Sequence, residues 1–206
     1  MVTLSQVERS VYNGLMKVPD TAATELSPRD RILRAAHDLF YSDGVRATGI
    51  DRIIEAAQVS KVTFYRQYPS KDDLIRAYLA YRHEHWMAWL RSSLEGHLAA
   101  GMAPERALLA TFQAWFTRPD FRGCAFLNSS AELGSADPQV LAVVREHKAE
   151  MTAVFETLLP RGPGRAAKAR ALALAVDGAI VHAQMGQPLP ALLEALRALV
   201  DPVFAT

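Results

Sequence analysis

Apolar residues recur every three or four positions along most of this chain, and nowhere do they alternate with polar ones over the length of a strand. That period predicts helices throughout and no sheet. Ile32, Leu33, Ala36, Leu39 and Phe40 form a first apolar stripe. Before it, Ser27-Pro28-Arg29-Asp30 supplies a cap, a proline at the first helical position and an acid at the third. Gly44 closes that helix. A second helix starts at Thr48-Gly49-Ile50-Asp51 and buries Ile50, Ile53, Ile54 and Ala57. Ser60 caps a short third helix that runs to Gln67 and is ended by Pro69. Ser70-Lys71-Asp72-Asp73 opens a long fourth helix, carried by Leu74, Ile75, Tyr78, Leu79, Trp86, Trp89, Leu90 and Leu94 toward Gly101. Further helical patterns cover 104–116, 123–133, 138–159, 165–185 and 190–204.

The expected architecture is therefore all-α, with about nine helices. Residues 1–26 form an N-terminal extension, read either as a short amphipathic helix on Leu4, Val7, Val11 and Leu15 or as a mobile arm. Residues 27–70 form a helical head, and residues 71–206 form a larger helical domain reached through the fourth helix without a linker.

The segment Ser60-Lys-Val-Thr-Phe-Tyr-Arg-Gln-Tyr-Pro-Ser-Lys71 is too aromatic for a solvent loop and too polar for a core. On a helical wheel Tyr68 falls about 40° from Phe64, and Arg66 about 200° from it. One face is thus aromatic packing. The other carries Val62, Thr63, Tyr65 and Arg66, with Lys61 at the start. Those groups suit a DNA major groove: arginine for guanine edges, threonine and valine for a thymine methyl, tyrosine for a phosphate. The short connection from Ala57 to Ser60 fits a helix-turn-helix. Thr48, Ser70 and Lys71 lie at helix starts, where hydroxyls, backbone N–H groups and a cation meet phosphates. The alternative is an ordinary solvated face, with Thr48 and Ser70 acting only as caps.

Charge changes this picture little. The chain of 206 residues has a net charge of +1, so DNA affinity must come from local placement. Residues 27–71 hold eight basic side chains against five acidic ones, a modest excess. The single cysteine, Cys124, excludes an intrachain disulfide and fits a reducing compartment. No apolar run reaches the ~18 residues of a membrane span, and the N-terminus lacks the pattern of a signal peptide. The expected location is the cytoplasm. His83 and His85 are two apart and face away from each other on a helix, so no metal or cofactor is expected. No nucleophile–base spacing points to an enzyme.

Ile32-Leu-Arg-Ala-Ala-His-Asp-Leu-Phe40, Gly44, Thr48, Ile53, Ala56-Ala-Gln-Val-Ser60, Thr63-Phe-Tyr65 and Tyr68-Pro-Ser-Lys71 together resemble the TetR family of transcriptional regulators. Gln58 and Val62 depart from it, standing where the family pattern usually has glycine. Gln58 must then take the turn conformation without glycine's freedom, and Val62 adds a side chain to the DNA-facing surface. The resemblance implies a homodimeric repressor on a near-palindromic operator. Its C-terminal helical domain would bind a small molecule and change the spacing of two DNA-binding heads.

In that larger domain Trp86, Trp89, Phe112, Trp115, Phe116, Phe121, Phe126 and Phe155 read either as plain core or as the lining of an apolar cavity. Cys124, Asn128 and Glu132 recur four apart in a segment that resembles one subgroup of TetR-like regulators. The effector candidates are accordingly Trp86, Trp89, Phe112, Cys124, Phe126, Asn128, Glu132 and Phe155, taking a small apolar or aromatic molecule. Ala171, Ala173, Ala175, Gly178, Ala179 and Ala183, with the stripe Leu192, Leu193, Leu196, Leu199 and Val200, allow close helix approach. The resemblance makes this a dimer bundle, and the alternative is an internal core. Two other functions stay open: a helix-turn-helix regulator controlled by a protein partner, and a helical small-molecule-binding protein or enzyme.

Overall fold

The computed structural model describes residues 26–134 and 137–205, so the helix or arm expected over the N-terminal extension lies outside the described residues. Among the described residues there are nine helices and no strand. They are α1 (Pro28–Asp43), α2 (Ile50–Ala57), α3 (Lys61–Gln67), α4 (Lys71–Ala99), α5 (Pro104–Phe116), α6 (Ala125–Leu133), α7 (Pro138–Leu158), α8 (Arg165–Gln184) and α9 (Leu189–Phe204). The chain forms two compact units that part between Trp89 and Leu90, inside α4.

Three helix starts in the first unit use the same chemistry. Ser27 accepts the Asp30 N–H at 3.2 Å, Ser60 the Thr63 N–H at 3.1 Å, and Ser70 the Asp73 N–H at 3.1 Å. Ser27 and Ser70 also donate to the carboxylates of Asp30 and Asp73 at 2.6 Å. The start of α2 differs from expectation. Gly49 is the cap residue and offers no side chain. Thr48 instead turns fully inward, where its hydroxyl meets the carbonyls of Gly44 at 2.8 Å and Leu39 at 3.3 Å. Its hydroxyl therefore finishes the end of α1 and leaves the start of α2 to the backbone.

The turn between α2 and α3 pivots on Gln58, at φ 52° and ψ 50°. A side chain in this left-handed region costs about 1–2 kcal/mol relative to the right-handed one. The core of the head gathers Ile32, Ala36 and Phe40 of α1, Ile53 and Ala57 of α2, Phe64 of α3, then Tyr68, Leu74 and Tyr78, all buried. The Phe40 and Tyr78 rings meet edge to face, 5.4 Å apart. The Tyr68 hydroxyl is buried with no hydrogen-bond partner among the described residues.

A polar pair crosses this core from α1 to α4. His37 Nδ1 lies 2.8 Å from Asp38 Oδ1, and His37 Nε2 lies 3.3 Å from Arg82 Nη1. A guanidinium only donates, so Nε2 accepts and the ring is neutral with its proton on Nδ1. Burial holds His37 below its ordinary value of 6.5. The Asp38 hydrogen bond opposes this, while the Arg82 charge reinforces it.

The second unit is built from α5 to α9 and the last turns of α4. Here α8 packs between α7 and α9, α9 also packs on α5, and α6 lies on α7. Its centre holds Leu108, Phe112, Met151, Phe155, Leu172, Val176, Ile180, Leu196 and Val200. Phe112 and Phe155 meet edge to face at 6.0 Å.

Two measurements test this account of the first unit. Removing the unpaired phenol by Tyr68→Phe should raise stability by roughly 1 kcal/mol, since a buried unsatisfied hydroxyl is replaced by an apolar edge. A loss of stability in urea titration would mean that the hydroxyl has a partner. For His37, the folded value lies below the unfolded one. Its contribution is intact above pH 6.5 and is lost as pH falls through the folded value, because the unfolded state takes up the proton first. His37→Gln, which keeps an acceptor and cannot titrate, should flatten the drop in thermal stability between neutral and mildly acid pH. Identical acid slopes for the two proteins would exclude His37 as the source.

Candidate nucleic-acid interface

The third helix is seven residues long and buries one side chain of its own, Phe64. Opposite that residue, Val62 is 79% exposed and Arg66 is exposed, while Tyr65 at the flank is 41% exposed with its ring edge to face with Phe64 at 5.3 Å. Such exposure of a β-branched residue on a short helix gives nothing to the fold. Thr63 is half-buried, its hydroxyl 2.9 Å from that of Ser60. Lys61 pairs with Asp51 at 3.3 Å. Both are well exposed, so the pair is weak and easily exchanged.

The basic side chains of the head divide sharply once their partners are seen. Arg29 donates to the Gln67 carbonyl at 2.9 Å, Arg31 to the Gln58 carbonyl at 3.2 Å, and Lys71 to the Val45 carbonyl at 2.6 Å. Arg52 pairs with Asp43 and Lys61 with Asp51. Arg34 and Arg46 are engaged as well. Of these eight cations, only Arg66 has no partner among the described residues. Of the candidates at helix starts, Thr48 is fully buried and Ser70 caps α4. The Ser70 hydroxyl, followed by Arg76, holds the Asp73 carboxyl below its ordinary 3.8.

The effector candidates fall in both units. Trp86 and Trp89 lie in the first, buried, with their rings 6.1 Å apart. The others lie in the second. Phe112 touches Phe155, and Phe126 is stacked on His147 with ring centres 3.5 Å apart and planes 9° from parallel. Cys124 is buried, its Sγ 3.7 Å from Lys148 Nζ, which in turn meets Asp177 at 2.6 Å. Asn128 donates to the Arg122 carbonyl at 3.0 Å and accepts from Gln184 at 3.2 Å. Glu132 is half-buried and engaged.

His147, Lys148 and Gln184 are the polar neighbours that the sequence reading did not single out. His147 had a visible signal: it interrupts the apolar stripe Val140, Val144, Met151, Val154, Phe155 and Leu158 at a helical spacing. Lys148 and Gln184 are brought in by pairings between helices, which leave no periodic trace.

The family described as bacterial regulatory proteins, tetR family, matches residues 32–78, which span the whole helix-turn-helix. The transcriptional regulator UidR of Escherichia coli is 28% identical over 134 residues, covering 65% of this chain and 65% of its own length. A solved regulator from Streptomyces avermitilis is 32% identical over 85% of this chain and 99% of its own, with a TM-score of 0.67. A solved TetR-family transcriptional regulator from Streptomyces coelicolor is 31% identical over 86% of this chain and 94% of its own, with a TM-score of 0.72. With its outward-facing third helix and a likeness of that extent, the chain belongs to the TetR family of DNA-binding transcriptional regulators.

Proposed function

We propose that this regulator is a homodimeric repressor that reads a near-palindromic operator through α3 and is released by a small apolar or aromatic effector held in the second unit. The observation that carries the DNA reading is Arg66. It is exposed, lies opposite the buried Phe64, and alone among the eight cations of the head lacks a partner within the described residues. A guanidinium so placed makes two hydrogen bonds to one guanine. Val62, Thr63 and Tyr65 flank it, and Lys61 is within exchange of its exposed carboxylate for a phosphate.

Dimerisation is supported by the outer face of α8. Ala171, Leu174, Gly178 and Val181, followed by Met185 at the C-terminal cap, recur at helical spacing and are all exposed in the single chain, Leu174 at 74% and Met185 at 67%. Leu199 of α9 is exposed too. Ala179, by contrast, is buried within its own chain, so a charge there would damage the protomer first. A two-fold pairing of such faces sets two heads on successive turns of DNA. Effector binding is supported by the interior of the second unit. Phe112 meets Phe155 there, Phe126 stacks on His147, and Cys124 lies beside the Lys148–Asp177 pair, so the unit offers both apolar surface and polar groups.

Selection of bound duplexes from a random pool tests the reading directly, and a failure to enrich any sequence would end it. On the selected site, Arg66→Ala should cost roughly 1–3 kcal/mol and relax the preference at one position of each half-site. An equal loss on selected and scrambled duplexes would reduce Arg66 to a phosphate contact. Leu174→Glu should dissociate the dimer in sedimentation while leaving the helical spectrum unchanged, since a charge would enter the shared apolar face. Native chains that sediment as monomers at micromolar concentration would rule out the dimer.

A further inference from the structure

Arg29 and Arg31 stand two apart near the start of α1, about 200° from each other around the helix axis. They leave α1 on different sides and reach different helices. Arg31 donates to the carbonyl of Gln58, the residue that closes α2 in the left-handed conformation. Arg29 donates to the carbonyl of Gln67, the last residue of α3, and its guanidinium lies 4.4 Å from the centre of the Tyr68 ring. Each contact closes a long loop, 27 residues for Arg31 and 38 for Arg29. Each also puts a positive charge on the C-terminal end of a helix, where carbonyls lack intrahelical partners and the helix dipole is negative.

From this geometry we infer that Arg29 and Arg31 are positioning residues: α1 grips the C-terminal ends of both helices of the helix-turn-helix and thereby fixes the angle at which α3 meets the groove. By residue type alone, both would count among the phosphate contacts. The Nη1 of each instead donates to a carbonyl, that of Gln58 at the turn for Arg31 and that of Gln67 at the far end of the reading helix for Arg29. The α3 helix has one buried side chain within its own span, so rotation about that anchor is what the Arg29 contact restrains, while Arg31 holds the turn that leads into it. The stacking of Arg29 on Tyr68 holds the residue immediately after α3 in the same grip.

A positioning role and a phosphate role leave different signatures in binding. A lost phosphate contact weakens all sequences alike and lowers the salt slope by about 1 per head. A lost positioning contact leaves the slope alone and erodes the preference for the correct site. The inference rests on the reading of α3 as the DNA-facing helix, and the experiment separates the two. Full-length wild-type protein, Arg29→Met and Arg31→Met are titrated at several salt concentrations against a duplex selected from a random pool and a scrambled duplex of equal composition. If the wild type shows no preference between them, the reading of α3 fails. If it does, each methionine variant should lose at least about fivefold in the ratio of the two affinities, the low end of what one mismatched base pair costs. Its affinity for the scrambled duplex, and that duplex's salt slope, should not change. A slope lowered by about 1 per head with the ratio intact overturns the inference, as does no change in either. Arg29→Lys, which keeps the charge but not the flat stacking or the forked donor, serves where a methionine variant is unfolded by circular dichroism. A reduced ratio supports positioning, and full retention of affinity and ratio overturns it because charge alone then suffices.

Discussion

Phe64 is fully buried on a helix of only seven residues, and its packing decides where the rest of α3 points. A helix of that length is not stable in water by itself, because nucleation outweighs the few hydrogen bonds it can form. Its existence depends on the aromatic anchor and on Tyr68 just beyond its end, both set into the core made by α1, α2 and the first turns of α4. Removal of a side chain such as Phe64 from a core costs about 3–5 kcal/mol, a large share of the stability of any small domain. With the inward face so strongly determined, the outward face is released from any structural duty. Val62 and Arg66 are therefore displayed by the fold without contributing to it, while Tyr65 at the flank sets its ring edge to face with Phe64.

Much of this was legible in the sequence, and the reasons are local. Ser27, Ser60 and Ser70 each precede a hydrogen-bonding partner by three positions, so the pattern and the physical contact are the same fact. The wheel of α3 depends only on helical pitch, which is why the Phe64 and Arg66 faces emerged correctly. Thr48 shows the limit of this reasoning. Its spacing to Asp51 matches a cap, yet its hydroxyl turns back to Gly44 and Leu39, because the carbonyls at the end of α1 compete for the same donor. The cations show a deeper limit. Arg29, Arg31 and Lys71 find carbonyls 38, 27 and 26 residues away, and a backbone carbonyl has no residue type by which a pattern could announce it. Counting charge treated eight cations as equals, whereas the fold leaves one of them without an internal partner among the described residues.

The second unit was legible in outline and less so in its polar details. The alanine-rich α8 reads from composition as a helix of close approach, but composition cannot say which alanines face inward. Burial divides them: Ala169, Ala173 and Ala179 belong to the chain's own core, and Ala171 and Gly178 to the outer face of the helix. Leu174 and Met185 on that outer face complete a stripe that water would otherwise disfavour. Within the unit, Thr111, Ser129 and His147 are buried polar groups among apolar ones, and the Lys148–Asp177 pair is part-buried. Placing ionisable groups in such surroundings costs more than apolar packing would.

The left-handed Gln58 has a consequence for the thermodynamics of recognition. Its backbone strain is borne in the folded protein before any DNA arrives, held by the turn's own hydrogen bonds and by Arg31. A head whose reading helix is already ordered has little conformational entropy left to lose at the moment of contact. Its association should then lack the large heat-capacity signature of folding coupled to binding, and encounter should be governed by diffusion and charge more than by slow rearrangement. A glycine at this position would relieve the strain and widen the turn's repertoire together. The glutamine thus exchanges some stability for a turn with fewer alternative conformations, which leaves less to be ordered at the moment of encounter.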